Sequence, residues 1–220
     1  MLSTLGKIIF LAIILITFFA FIIPVYYRFR IIKTGQPDQR FNQLGRRIWS
    51  AFTKILFQRC TLKNERIFSG LMHVLIFYGA LTFDTMTINH TLEGLIPGFY
   101  LFGTGNFSLF FSLIVDIFAI TVIIGVLFFA VRRFIIRPKA YQTTLWDSAI
   151  IYIMLILVTL SYLYFEIFAI AHHPGTERLS FLGAYFSSMV ENMSAASINT
   201  HFHIGWWLHV LLVYAFIAYV

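Results

Sequence analysis

Three histidines stand on stretches that are otherwise apolar: His73 and His90 toward the two ends of one, and His209 near the start of another. An ionisable side chain at membrane depth costs several kcal/mol unless it has a partner, so its first reading is functional. Imidazoles that face one another across a helix bundle are suited to take the axial positions of haem iron. His73, His90 and His209 are accordingly the candidate iron ligands.

The elements that must position them are set by composition. Of 220 residues, 60% are hydrophobic, 19% aromatic and 11% charged, which is too apolar for a soluble globular domain. Crossing the hydrocarbon takes about 20 apolar residues, and runs of that kind lie at 8–27, 67–88, 107–131 and 145–171, with another at 204–220. The sequence therefore predicts an all-α membrane protein, a bundle of five transmembrane helices forming one domain over residues 1–220. The first run is too long for a signal-peptide core and lacks a small-x-small cleavage site, so it reads as a retained span. Cys60 is the lone cysteine, so a disulfide, an iron–sulfur cluster or a thiolate zinc site cannot be built from these residues.

Cationic residues orient the bundle. Ten of the sixteen Lys and Arg residues fall between Arg28 and Arg66, and four more, from Arg132 to Lys139, follow the third span. Both segments are expected on the cytoplasmic side. The stretches 89–106 and 172–203 carry only Arg178 against Glu93, Glu177 and Glu191 and are expected outside, as is the N-terminus. This describes a multi-pass protein of the cell's inner, cytoplasmic membrane, whose net charge of +7 reflects topology rather than nucleic-acid binding. Within the first basic segment, Phe41, Leu44, Ile48, Phe52 and Ile55 recur at helical spacing, with Arg46, Arg47 and Lys54 on other faces. Residues 41–57 are thus an amphipathic helix in the cytoplasmic interface, either a surface anchor or a docking surface for a cytoplasmic partner. The segment 181–193 is a second interfacial helix candidate, in a loop long enough to cover a site.

Orientation places His73 near the cytoplasmic face and His90 at the outer boundary, about 25 Å apart along an ideal helix. That separation suits two haems, one near each surface. His209, one turn into a span that runs inward, shares the depth of His90, as two axial ligands of one outer haem must. His73 and His90 differ by roughly 100° around the helix, so they serve differently oriented clefts unless the helix bends. Gly70 and Gly79 give a macrocycle or a neighbouring helix room to approach. His172, His173, His201 and His203 fall at the outer boundary and read as solvated interfacial residues. Glu166, Asp84 and Asp116 are carboxylates within the spans, each able to relay protons, to hydrogen-bond a quinone, or to serve as a structural acceptor.

Taken together, Arg66-Ile-Phe-Ser-Gly-Leu-Met-His73 opening one span, Trp146-Asp147 opening another that ends with Glu166, and Trp206-Trp207-Leu208-His209 followed by Phe216-Ile217-Ala218-Tyr219 form a recognisable set. They resemble the di-haem cytochrome b family of the respiratory nitrate reductase gamma subunit, and more closely the membrane part of heterodisulfide-reductase-like proteins, including electron-transfer-flavoprotein:menaquinone oxidoreductases. The resemblance implies two b haems ligated by histidines of the second and fifth spans, a menaquinone or ubiquinone site, and a cytoplasmic iron–sulfur or flavoprotein partner. Iron–sulfur clusters would sit only in that partner or in a C-terminal continuation. The expected function is a haem b membrane subunit of a quinone-linked oxidoreductase complex, passing electrons between the iron–sulfur module and the quinone pool. Two other classes fit the composition: a small transporter with histidines lining its pore, and a cofactor-free membrane anchor or assembly subunit.

The run 204–220 is short for a crossing and reads as a span truncated at Val220. His73 has no histidine of matching depth in the sequence, and in the families it resembles the chain continues to a further histidine, so the natural chain is expected to extend past Val220. The topology makes a direct prediction. In a Cys60→Ser background, Glu177→Cys should react with an impermeant thiol reagent added to intact cells; labelling only after the membrane is opened would reverse the orientation.

Overall fold

A computed structural model describes residues 2–36, 42–103, 105–138, 145–173 and 179–220. The described residues form helices α1 (Thr4–Lys33), α2 (Leu44–Leu56), α3 (Ile67–Leu95), α4 (Asn106–Ala130), α5 (Leu145–His172), α6 (Phe181–Ser188) and α7 (Ala195–Tyr219). Five of them, α1, α3, α4, α5 and α7, are long and apolar enough to span a membrane. Helix α4 widens into a π turn over Val131–Ile136, which Arg137 closes in the left-handed conformation (φ 47°).

The spans are close to those expected, with one correction. The fifth helix starts at Ala195 and not near Ile204, so it has 25 residues and places His201 and His203 within the helix. Hydropathy hides this start because its first turns carry Ser197, Asn199 and Thr200. Capping reveals it, since the Ser194 side chain accepts the backbone N–H of Ser197 at 3.2 Å and so satisfies a donor that the helix cannot pair internally. His209 therefore lies four turns into α7, not one.

Helix α5 is the hub, packed against α4, α6 and α7. Small residues set the close approaches. A Cβ on Gly79 of α3 would collide with Val122 of α4, and one on Gly125 of α4 would meet Ile76 of α3 at 2.8 Å, so the two helices cross through each other's glycines. Of the two readings of Gly79, this position serves helix packing; Gly70 likewise abuts the Thr61 carbonyl. Helix α1 is peripheral and buries only Phe10 and Thr17. The Phe10 ring meets Trp206 edge-on at 5.1 Å, in space left open by Gly94.

Helix α2 has no buried residue, and Leu44, Ile48, Phe52 and Ile55 all lie exposed, as an interfacial helix requires. Phe41 and the rest of 37–41 lie outside the described residues. Gln58, in the left-handed conformation at φ 48°, ends the helix and returns its amide to the Ile55 carbonyl at 2.9 Å. The linker then runs back along α3, held by Tyr78 Oη donating to the Leu56 carbonyl at 2.5 Å.

The loop between α5 and α7 folds into the bundle through α6. Asp116, fully buried on α4, accepts from Ser180 Oγ at 3.0 Å and from the Leu182 backbone N–H at 2.8 Å. This carboxylate occupies the N-terminus of α6, where unsatisfied N–H groups and the helix dipole both favour an anion. Its role is the structural alternative among those the sequence left open. Asp116→Ala would leave the buried hydroxyl and amide donors without their acceptor, a loss of roughly 2–5 kcal/mol. The variant should cleave faster within residues 174–190 under limited proteolysis in detergent, whereas the exposed Glu65→Ala should not; equal cleavage would mean that α6 is held by something other than Asp116.

Candidate functional site

His90, Asp116, Glu166 and His209 are buried between the middle of the bundle and the end where α3 finishes and α4 begins. His90 and His209 are each 3% exposed, and their ring centres stand 5.6 Å apart with the planes nearly perpendicular at 88°. The depth matching expected from the sequence thus has a structural counterpart: the two imidazoles meet. Ser161 Oγ lies 3.1 Å from His209 Nδ1, in a contact whose donor depends on the tautomer, and itself reaches the Val158 carbonyl at 2.9 Å. Tyr162, fully buried, faces both rings, at 6.2 Å from His90 and 5.8 Å from His209. Phe165 closes the His90 side edge-on at 5.0 Å.

Two imidazoles bound to one ion through metal–nitrogen bonds of about 2 Å would have ring centres roughly 6 Å apart, close to the 5.6 Å here. The cleft between them is bordered by Thr87, Thr91, Val210, Val213 and Tyr214, has no room for a water molecule and is tied across by the 2.9 Å Thr91–Tyr214 contact. As it stands, the cleft does not admit a porphyrin. Among the described residues, no group of three or more His, Cys, Asp or Glu side chains is arranged to hold a metal ion by itself.

Beside the histidine pair lies a cavity of about 420 Å³. Its wall includes His90, so this one residue borders both the cavity and the cleft to His209. Glu166, only 1% exposed, stands in the same wall with Asn89, Glu93, Ser112 and His173. Behind Glu166, α6 packs so closely that a Cβ on Gly183 would come within 2.9 Å of Glu166 Cγ. The Asp116 anchor therefore braces the wall that carries the buried carboxylate. A space of this size, part apolar and part polar, accepts a planar ring with polar substituents.

The other candidates lie elsewhere. Asp84 is exposed on the surface of the bundle and does not line the cavity. His73 is exposed at the opposite end of α3, with Phe129 of α4 edge-on at 6.5 Å. The change of face between His73 and His90 follows from the near-100° offset along one continuous helix.

Sequence reasoning passed over Tyr162, Ser161 and the cavity roles of Glu93 and His173. The signal was present on α5: Tyr162, Glu166, Ala169 and His173 follow the i, i+4, i+7, i+11 spacing of a single helical face. On α3, His90 and Glu93 are one turn apart.

Comparison with known proteins gives two relatives. The chain is 24% identical over 215 residues to "Probable iron-sulfur-binding oxidoreductase FadF" of Bacillus subtilis (strain 168), a match covering 98% of this chain and 30% of that protein. It is 25% identical over 191 residues to "EtfAB:quinone oxidoreductase" of Syntrophomonas wolfei subsp. wolfei (strain DSM 2245B / Goettingen), covering 82% of this chain and 26% of that one. The chain thus spans less than a third of the length of either relative. No protein-family model matches it, and no solved structure does. The described residues form a helical bundle with five helices able to span a membrane, and in sequence the chain is similar to one segment of two larger oxidoreductases.

Proposed function

We propose that this chain is the membrane segment of a quinone-linked electron-transfer system, exchanging electrons and protons with a quinone in the cavity beside His90. The observation that carries the reading is the shared position of His90, which lines both the cavity that the buried Glu166 also lines and the cleft to His209. Quinone chemistry moves two electrons with two protons, and a site for it needs an electron route and a proton acceptor in one place. His90 opens toward the first and Glu166 supplies the second. The names of the two relatives, one iron–sulfur-binding and one acting on a quinone, support the same chemistry.

In this reading His90 and His209 are the residues that would hold a b-type haem, in keeping with the resemblance to di-haem cytochromes b. Such a haem, when bound, supplies one-electron carrying capacity between the two-electron quinone and an iron–sulfur or flavoprotein partner on the cytoplasmic side. The protein contributes the remainder. Ser161 fixes the orientation of the His209 ring, Tyr162 fills the space against both imidazoles, and Glu166 holds or accepts a proton inside a wall braced by α6. His73, at the cationic end of the bundle, is the candidate ligand of a second haem, and the inner membrane with the N-terminus outside is the corresponding location.

The purified protein reduced with dithionite should show the α band of a b-type haem. His90→Ala and His209→Ala should each remove the same haem, and His73→Ala a different one. Glu166→Gln should lower quinol-linked turnover by roughly 10²-fold with haem content unchanged, because it removes a proton acceptor while keeping shape. A preparation lacking the band would reject the haem assignment, and a fully active Glu166→Gln would leave Glu166 a structural residue.

A further inference from the structure

The cavity must exchange protons with water, and the bundle holds an imidazole pair at its rim that the reading above does not use. His173 lines the cavity and is exposed, while Glu166 lies seven residues earlier on α5, two turns away on the same face. Glu93 stands in the wall between the helices at the same rim. The cavity's 420 Å³ could contain roughly a dozen waters at about 30 Å³ each.

His173 Nε2 lies 3.2 Å from His172 Nδ1, and His172 Nε2 lies 3.0 Å from Asn199 Oδ1 of α7. With Asn199 Oδ1 as the acceptor, His172 would carry its proton on Nε2 and its lone pair on Nδ1. In that tautomer His172 Nδ1 would accept from His173 Nε2–H, with His173 the ring of the pair that lines the cavity. The two imidazoles would then point the same way along one hydrogen-bonded chain. Their geometry is fixed by packing: the His172 ring stacks on Phe202 at 4.8 Å and 16°, and Asn199 sits one turn earlier on the same helix. Imidazole is the side chain whose ordinary pKa lets it take up and release a proton near neutral pH.

We infer that His173 and His172 form a proton exit at the bundle end poor in Lys and Arg, linking the Glu166 cavity to water; this rests on the quinone reading. For each quinol oxidised to quinone, two O–H bonds break, two electrons leave to a one-electron oxidant, and two protons pass to Glu166 or cavity water. A proton taken up by His173 would pass from His173 Nε2–H to His172 Nδ1, and His172 would give its Nε2–H to bulk water once its contact with Asn199 Oδ1 opens. Both rings then return to their starting tautomer by rotation or exchange with solvent.

The test uses the full chain in proteoliposomes of known orientation, with a reduced short-chain quinol, ferricyanide as the one-electron oxidant, and a pH-sensitive dye on each side in turn. Wild type should release two protons per quinol on the face bearing His173. His173→Ala should slow proton release by about 10²-fold, the low end of what one positioned proton acceptor contributes. It should also raise the solvent isotope effect and recover rate with millimolar free imidazole. His172→Gln should show the same slowing. His201→Gln should not, because that ring is bonded to Tyr164 Oη at 2.6 Å and lies off the row. His173 is exposed, so its truncation leaves the core intact. A wild-type chain that turns over quinol while His173→Ala and His172→Gln match it in rate and isotope effect would overturn the exit but leave the quinone reading standing. Equal losses in all three variants, without imidazole rescue, would also overturn it. A wild-type chain that oxidises no quinol would remove the reading and the exit together.

Discussion

Hydrocarbon offers a buried imidazole or carboxylate no hydrogen bond, so polar side chains inside a membrane bundle must be served by other helices. In this protein that constraint links them across helices. Asp116 of α4 accepts at Oδ2 from the entering turn of α6, His209 of α7 contacts Ser161 of α5, and Tyr214 of α7 bonds Thr91 of α3 at 2.9 Å. Each link crosses between elements, and together they fix the rotation of helices whose outer faces are mostly apolar. The remaining contacts, glycine against valine or phenylalanine against tryptophan, set how closely those helices approach but say little about which face turns inward.

A consequence of that linking is that one residue borders two spaces. His90 closes the cleft to His209 and forms part of the wall of the 420 Å³ cavity. Glu166 stands in that wall because α5 presents Tyr162, Glu166 and His173 on a single face, and it is held there because α6 presses Gly183 against it. The anchor of α6 is Asp116, so a carboxylate near the middle of α4 acts on the site through packing rather than through chemistry. The division of labour between two buried carboxylates follows from their neighbours. Asp116 meets backbone and hydroxyl donors, whereas Glu166 meets a cavity.

The opposite end of the bundle is organised differently. There the cationic residues, the exposed apolar face of α2 and the exposed His73 lie in a region that meets the interface and whatever docks on it. The two ends thus differ in charge: His90, Glu166 and His173 lie where Lys and Arg are scarce, and most of the cationic residues lie at the other end.

The sequence by itself determined the five spans, the interfacial character of 44–56 and the candidate set His73, His90, His209 and Glu166, because apolar runs, helical periodicity and isolated ionisable residues are written locally. It also determined that His73 and His90 face different ways, since a continuous helix leaves no choice of azimuth between them. It missed the start of α7, where Ser197, Asn199 and Thr200 make a helical segment look like loop, it read His173 as a solvated boundary residue, and it counted Glu93 only among the charges of an outer loop. Which imidazole meets which, that Asp116 caps α6 while Glu166 lines a cavity, and that His172 and His173 align toward Asn199 were decided only by the tertiary structure. Depth along a helix follows from counting residues, but the rotation of one helix against another is set by the summed packing and hydrogen bonds between them, and no local stretch of sequence contains that sum.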